Sequence, residues 1–306
     1  MHSNLYQTLS PSAQKEKSFI WEKTTISPFH ELIIGWNAQR PSQGHYHISL
    51  SLKLEGWCPW FSYAIWGTNS QRSFEHRLGP IHVFQDTVNM ANGHAASGWR
   101  VKVDAIDGSD LLGLQALYAT TPPLQPPQKM DFFQDISLEV PKISQIKIND
   151  SRNMRICSPI STTAVVRFLN PKATLTPLEF ADKVWDNHFD IYGHWVFAAA
   201  QAYAELGSEW ETRVKHLSGF EDIYKSLLVG YPVVVSIKGP LPGSLHPYSN
   251  GHLLVVRGYN PTQQKVRCMD PAYPENSQTY VDYALEDFLN AWQKRKNIAY
   301  IFHKVA

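Results

Sequence analysis

The stretch MRICSPISTTAVVRFL, residues 154–169, sets a cysteine directly before Ser-Pro and then repeats its apolar residues at helical spacing. Pro159 suits the first turn of a helix, because it lacks the N–H that would go unpaired there. Ile160, Ala164, Val165, Phe168 and Leu169 then share one apolar helical face. The spacing predicts a helix over Cys157–Leu169 with the thiol at its N-terminus. Unpaired backbone N–H groups and the positive end of the helix dipole stabilise a thiolate at that point. A cysteine taken alone is more often a small core hydrophobe than a nucleophile. The choice turns on whether the chain supplies a base.

A base and an orienting acceptor are found downstream. In SNGHLLVVRGYN, His252 opens an apolar strand after a Ser-Asn-Gly turn, and VRCMDPAY ends another strand in Asp270. If HLLVVRGYN turns at Asn260-Pro261 and pairs with QKVRCMD, His252 and Asp270 reach the same end of the hairpin. Singly, each reads as an ordinary turn residue. Together with Cys157 they make a nucleophile, a general base and a group that fixes the base's tautomer. Acyl transfer also needs donors for the oxyanion. The backbone N–H of Cys157 is one, and Gln145 in VPKISQIKIND is the candidate for the other, although it reads nearly as well as a polar loop residue.

Around this set, helices come first. TPLEFADKVWD carries Thr176, Pro177 and Glu179 as N-cap, first-turn proline and N3 acid of a capping box. HWVFAAAQAYAEL ends at Gly207 and FEDIYKSLLV at Gly230. The strands PVVVSIK, GHLLVVRGYN, KVRCMD, QTYVDY and NIAYIFH follow, so residues 140–306 are expected to form an α+β domain. Upstream, TTPPLQPPQ places four prolines in nine residues and opens a semi-rigid linker over 121–139. Before it, HYHISLSLKLEG and WRVKVDA alternate apolar and polar residues, and LLGLQALYA reads as a further strand. An all-β sandwich over 20–120 is expected, behind a polar tail of residues 1–19.

Composition narrows the function. Lys+Arg 28 against Asp+Glu 27 leaves no charge excess for a nucleic acid or an anionic bilayer. No run approaches the roughly 20 apolar residues of a membrane span. No signal-peptide core is seen, so a cytoplasmic protein, or one exported by a non-classical route, is expected. Three cysteines, Cys58, Cys157 and Cys268, argue against a disulfide framework; Cys58 and Cys268 read as inert core. His45 and His47 lack a third ligand, so neither a metal nor another cofactor is expected. His194 opens a helix and reads as a cap, a packing residue or a cleft residue. Trp57, Trp60 and Trp66 read as core, with sugar stacking the alternative. The loop GPLPGSLHPYSNG, residues 239–251, leads straight into His252 as a connection or a flap.

VPKISQ, ICSPISTTAVVRFL, DIYGHWVFAAAQAYAELG, YPVVVSI, GHLLVVRGYN and MDPAY, taken in that order, resemble the papain-like cysteine peptidases related to bacteriocin-processing, double-glycine leader peptidases, the family thirty-nine-like group. FHELIIGWNA and WCPWFSYAIWG resemble, more weakly, the bacterial branch with an N-terminal β-domain. The resemblance implies a helical lobe carrying the nucleophile and an antiparallel sheet carrying the histidine and aspartate. It implies Cys157 as nucleophile, His252 as base and later acid, Asp270 as orienter and Gln145 as oxyanion donor. The expected activity is hydrolysis of a peptide or isopeptide bond through a thioester, on a peptide or protein substrate. Two alternatives stay open: an acyltransferase, transglutaminase-like enzyme or amidase, and a catalytically silent binding protein. A protein or glycan ligand is the expected partner of the β-domain. Cleavage after Gly-Gly belongs to transporter-linked relatives and is not carried over, since nothing in this chain is a transporter.

Overall fold

Alternating apolar and polar residues lay down the first half of the chain. The computed structural model describes residues 4–24, 26–68 and 71–305. Its first ten strands are β1 (Asn4–Thr8), β2 (Ser18–Lys23), β3 (Glu31–Ala38), β4 (His45–Lys53) and β5 (Phe61–Gly67), followed by β6 (Gln71–Leu78), β7 (Ile81–Gln85), β8 (Thr87–Met90), β9 (Gly98–Ile106) and β10 (Leu114–Thr120). On β4 the apolar set Tyr46, Ile48, Leu50 and Leu52 is buried, as its period of two requires. All ten strands share one antiparallel hydrogen-bonded path, β1-β10-β3-β8-β7-β6-β5-β4-β9-β2. The unit is thus β-rich, but its ladders are continuous and do not divide into two separate sheets. The expected polar tail also contributes β1, which pairs along β10 from Asn4↔Thr120 to Thr8↔Ala116. Its short, polar sequence carries no alternation that would mark it as a strand.

Two compact units divide the chain: one runs to Pro122 and takes in Lys183–Ala204, and the other comprises Pro123–Asp182 and Glu205 onward. The first unit therefore claims a segment expected within an uninterrupted 140–306 domain. Polar bonds within that unit account for it. Gln71 Nε2 donates to Trp185 O (2.5 Å), Arg40 Nε to Gln201 Oε1 (2.8 Å), and the Trp195 N–H to Asp86 Oδ2 (2.7 Å). Buried Asp186 accepts the Ser73 N–H (3.2 Å) and the Ser73 hydroxyl.

The remaining elements are β11 (Ile136–Ser137), α1 (Cys157–Leu169), α2 (Pro177–Val184), α3 (Trp195–Leu206), β12 (Trp210–His216), α4 (Phe220–Leu228) and β13 (Val233–Ile237). They close with β14 (His252–Asn260), β15 (Lys265–Met269), β16 (Tyr280–Ala284), α5 (Leu285–Gln293) and β17 (Ile298–Lys304). The capping box of α2 forms as read: the Thr176 N–H reaches Glu179 Oε2 (2.7 Å) and the Glu179 N–H reaches Thr176 Oγ1 (3.2 Å). Such a cap contributes about 1 kcal/mol. The second sheet runs β12-β17-β13-β14-β15-β16, with β11 pairing the far end of β14. The linker thus extends the sheet. Gly258 lets it do so, because a Cβ there would lie 2.0 Å from Ile136 O. Val233, Val235, Ile237, Leu254 and Val256 pack one face of β13 and β14 against Phe220 and Ile223 of α4 and Phe288 and Trp292 of α5. Among the described residues, no helix is long and apolar enough to cross a membrane.

Candidate functional site

Cys157 is the first residue of α1 and is half-buried. Behind it the helix is buried from Ser158 to Val166, small polar residues included. Ser158 and Ser161 are satisfied by bonds to the sheet and Thr162 Oγ1 donates back to Ser158 O (2.8 Å), while Thr163 Oγ1 is buried without a partner. Ser158 Oγ pairs with Tyr300 OH of β17 (3.0 Å), and Ser161 Oγ donates to Leu253 O of β14 (3.1 Å). These two bonds dock the helix start beside the start of β14, where His252 sits.

His252 is 5% exposed, and its Nε2–H donates to Asp270 Oδ1 (2.8 Å), the direction an ionised carboxylate requires. Asp270, directly after β15, is fully buried, and donors meet both of its oxygens. Oδ1 also accepts the Ala272 N–H (3.0 Å); Oδ2 accepts the hydroxyls of Tyr248 (2.7 Å) and Tyr283 (2.8 Å). The Tyr248 ring lies flat on the imidazole, with centroids 4.1 Å apart and planes 10° from parallel.

Charge follows from these contacts. Burial pushes the Asp270 carboxyl up, but the charge of His252 and the bonds just named hold it below the usual carboxylate range. Burial pushes His252 down, and the charge and hydrogen bond of Asp270, helped by Cys157, carry it up to about 10. Burial would raise the Cys157 thiol; the hydrogen bond and charge of His252, with the N–H groups of Leu253 and Ser158, lower it instead. With Nε2 engaged by Asp270, Nδ1 is the ring nitrogen left for the sulfur. The arrangement can hold a thiolate beside an imidazolium, a nucleophile already charged and a proton ready for a leaving group.

Gln145 is 4% exposed, and its N–H donates to Pro271 O (2.8 Å), the residue after Asp270. Next to it, the Ser144 N–H donates to Asn276 Oδ1 (2.7 Å) and the Ser144 hydroxyl to Tyr273 O. The turn after Asp270 therefore fixes this loop as well. Gln145 Oε1 is buried without a hydrogen-bond partner.

The other candidates lie elsewhere. Cys268 is fully buried, and that burial drives its thiol far up, which leaves it inert; Cys58 is half-buried. His45 Nδ1 faces Asp107 (3.6 Å), and His47 Nε2 meets Ser62 Oγ (2.8 Å). Among the described residues no group of three or more His, Cys, Asp or Glu side chains could hold a metal ion. His194 caps α3, its Nδ1 accepting the Phe197 N–H (3.2 Å). Tyr248, Tyr283 and Ser161 escape a sequence reading. They are ordinary residues at no diagnostic spacing, and only the fold brings them to the pair.

The sequence model of the Peptidase_C39 like family matches residues 137–300. Among solved structures, a Bacillus anthracis protein assigned as a C39-like peptidase aligns at 19% identity and a TM-score of 0.44, covering 57% of this chain and 100% of that one. PirA aligns at 14% identity and a TM-score of 0.18, covering 40% and 94%. No curated protein matches the chain.

Proposed function

Because the chain belongs to the Peptidase_C39 like family, we propose that it is a cysteine peptidase, hydrolysing a peptide or isopeptide bond through a thioester on Cys157. The observation that carries this is the buried His252–Asp270 bond of 2.8 Å together with the lowering of the Cys157 thiol by His252. In this reading the Cys157 sulfur attacks the carbonyl carbon. Imidazolium His252 then protonates the leaving amine, which breaks the C–N bond, and neutral His252 takes a proton from the water that opens the thioester. Asp270 holds the ring's tautomer and balances its charge. The N–H of Cys157 and the Gln145 Nε2–H donate to the oxyanion; the support for Gln145 is its burial and its backbone bond to Pro271 O, which tie it to the residue after Asp270.

The second unit is accordingly read as papain-like, with its nucleophile on a helix and its base and orienter on an antiparallel sheet, over Pro123–Asp182 and Glu205 onward. The β-rich part is read as a sandwich whose single strand path folds over itself. Its support is β3, where all eight residues are buried and both faces need cover. Recognition of a protein or glycan is the role left to it.

Replacing Cys157 with Ala should abolish both labelling of that site by an electrophilic thiol probe and cleavage of a peptide library. Retained cleavage by the Cys157→Ala protein would sink the proposal.

A further inference from the structure

Tyr248 touches both members of the His252–Asp270 pair in different ways, its ring on the imidazole face and its hydroxyl on Asp270 Oδ2. The backbone is arranged to put it there. Tyr248 has φ 45°, a left-handed conformation that bulky residues rarely hold unless their surroundings impose it. Its carbonyl accepts two N–H groups, from Gly239 (3.1 Å) and Gly251 (2.9 Å), so the loop closes on itself around this residue. Gly251 suits this turn because its φ is 98°, a conformation that L side chains rarely adopt. Arg295 Nη2 donates to Asn250 O (2.8 Å), and Tyr273 OH to Gly243 O (2.6 Å). The segment between Gly239 and Gly251 is thus tied at several points. The exposed Leu245, His246 and Pro247 lie outside, and Tyr248 is turned in and buried.

We propose that Tyr248 is a positioning residue for the proposed hydrolysis: its ring keeps water off the His252–Asp270 bond and sets the plane of the imidazole, while its hydroxyl holds the second Asp270 oxygen. The inference rests on the Cys157–His252 reading above. A ring lying 10° from parallel to the imidazole, with its own hydroxyl on the imidazole's partner, leaves His252 one orientation in which both bonds survive. Tyr283 supplies a hydroxyl to the same oxygen without the stacking contact, so the two tyrosines separate the role of the ring from that of the hydroxyl.

The test needs no substrate. Alkylation of Cys157 by iodoacetamide, resolved from Cys58 by mass spectrometry of the full-length protein, is followed between about pH 6 and pH 10. A free thiol is almost all protonated at the lower value, and only an ion-paired one reacts there. Tyr248→Leu is expected to lower the rate near pH 6 about tenfold while leaving the rate near pH 10 unchanged, an upward move of the acid limb by about one unit. Tyr248→Phe, which keeps the ring, and Tyr283→Phe should each cost about threefold at the low end. A Tyr248→Leu protein with an intact melt and the wild-type pH profile overturns the proposal. If that variant does not fold, an unmoved profile in Tyr248→Phe does so. A wild-type Cys157 that titrates like free cysteine overturns the peptidase reading and the positioning role together. A low-pH reactive wild type with unmoved variants overturns the positioning role alone.

Discussion

Two buried histidines, each near a buried aspartate, reach opposite charge states. In the second unit His252 bonds Asp270 at 2.8 Å and rises to about 10 despite its burial. In the first unit His194 lies 4.0 Å from Asp86; burial lowers it to about 4 and raises Asp86 to about 7. Desolvation acts against charge in both places, so it cannot be the cause of the difference. The hydrogen bonds are. His194 Nδ1 accepts the Phe197 N–H and Asp86 Oδ2 the Trp195 N–H, so this pair is spent on the N-terminus of α3. The His252–Asp270 pair is bonded to itself and steadied by two tyrosine hydroxyls. One site stabilises a charged pair away from water; at the other, burial disfavours charge on both groups and their bonds go to a helix start.

The strongest way to break this contrast is to remove each ring. His252→Ala should cut turnover roughly a thousandfold, the order expected for a lost general acid and base. His194→Ala should leave the turnover of the folded protein unchanged and lower its urea midpoint, with a stability loss of about 1–2 kcal/mol from the lost cap. A folded His194→Ala protein without activity would place that ring in the chemistry and erase the distinction. Less drastic is the exchange of the orienting carboxylate. Asp270→Ala should lower kcat/KM more than Asp270→Asn, since asparagine keeps an acceptor for the His252 N–H but not the charge. Equal losses in the two variants would leave the hydrogen bond with no share in the effect.

The smallest effect is in stability against pH. Asp86 binds its proton more tightly folded than unfolded, so its contribution falls as pH rises from about 4 to about 7. His194 binds its proton less tightly when folded, so its contribution grows as pH rises from about 4 to about 6.5. The two slopes oppose each other within that window. His252, raised when folded, contributes fully below about 6.5 and loses that contribution as pH climbs through about 10. Asp270, depressed when folded, contributes above about 4 and loses it as pH falls further. Replacing Asp86 with Asn removes one of the opposed slopes, and asparagine can still accept the Trp195 N–H. Denaturant midpoints of Asp86→Asn should therefore climb between about pH 4.5 and 6.5 more steeply than wild type, by up to ~1.4 kcal/mol per pH unit. Parallel curves would mean that Asp86 is already ionised in the folded protein.

How much of this was legible in the chain depended on range. The helix behind Cys157, the capping box at Thr176 and Glu179, and the hairpin linking His252 to Asp270 are set by near neighbours, and periodicity reports near neighbours. β12 and α5 went unread, and β1 lay in a segment read as tail, its partner strand more than a hundred residues away. Tyr248 and Tyr283 were invisible for a different reason. A tyrosine hydroxyl on a carboxylate leaves no pattern in sequence, because its partner is fixed by the turn of a loop and the register of a sheet.

The placing of Lys183–Ala204 within the first unit bears on any attempt to dissect the protein. No single cut frees either half. A fragment beginning at Pro123 would carry Asp186 without Ser73 and the N-terminus of α3 without Asp86, leaving a carboxylate and a set of amides to find water. A fragment ending at Pro122 would lack Phe197 beside Trp36 and Trp66. The chain passes out of the first unit and back again like a thread through two pieces of cloth, so genetic excision of the second unit is expected to give an insoluble product unless the returning segment is redesigned.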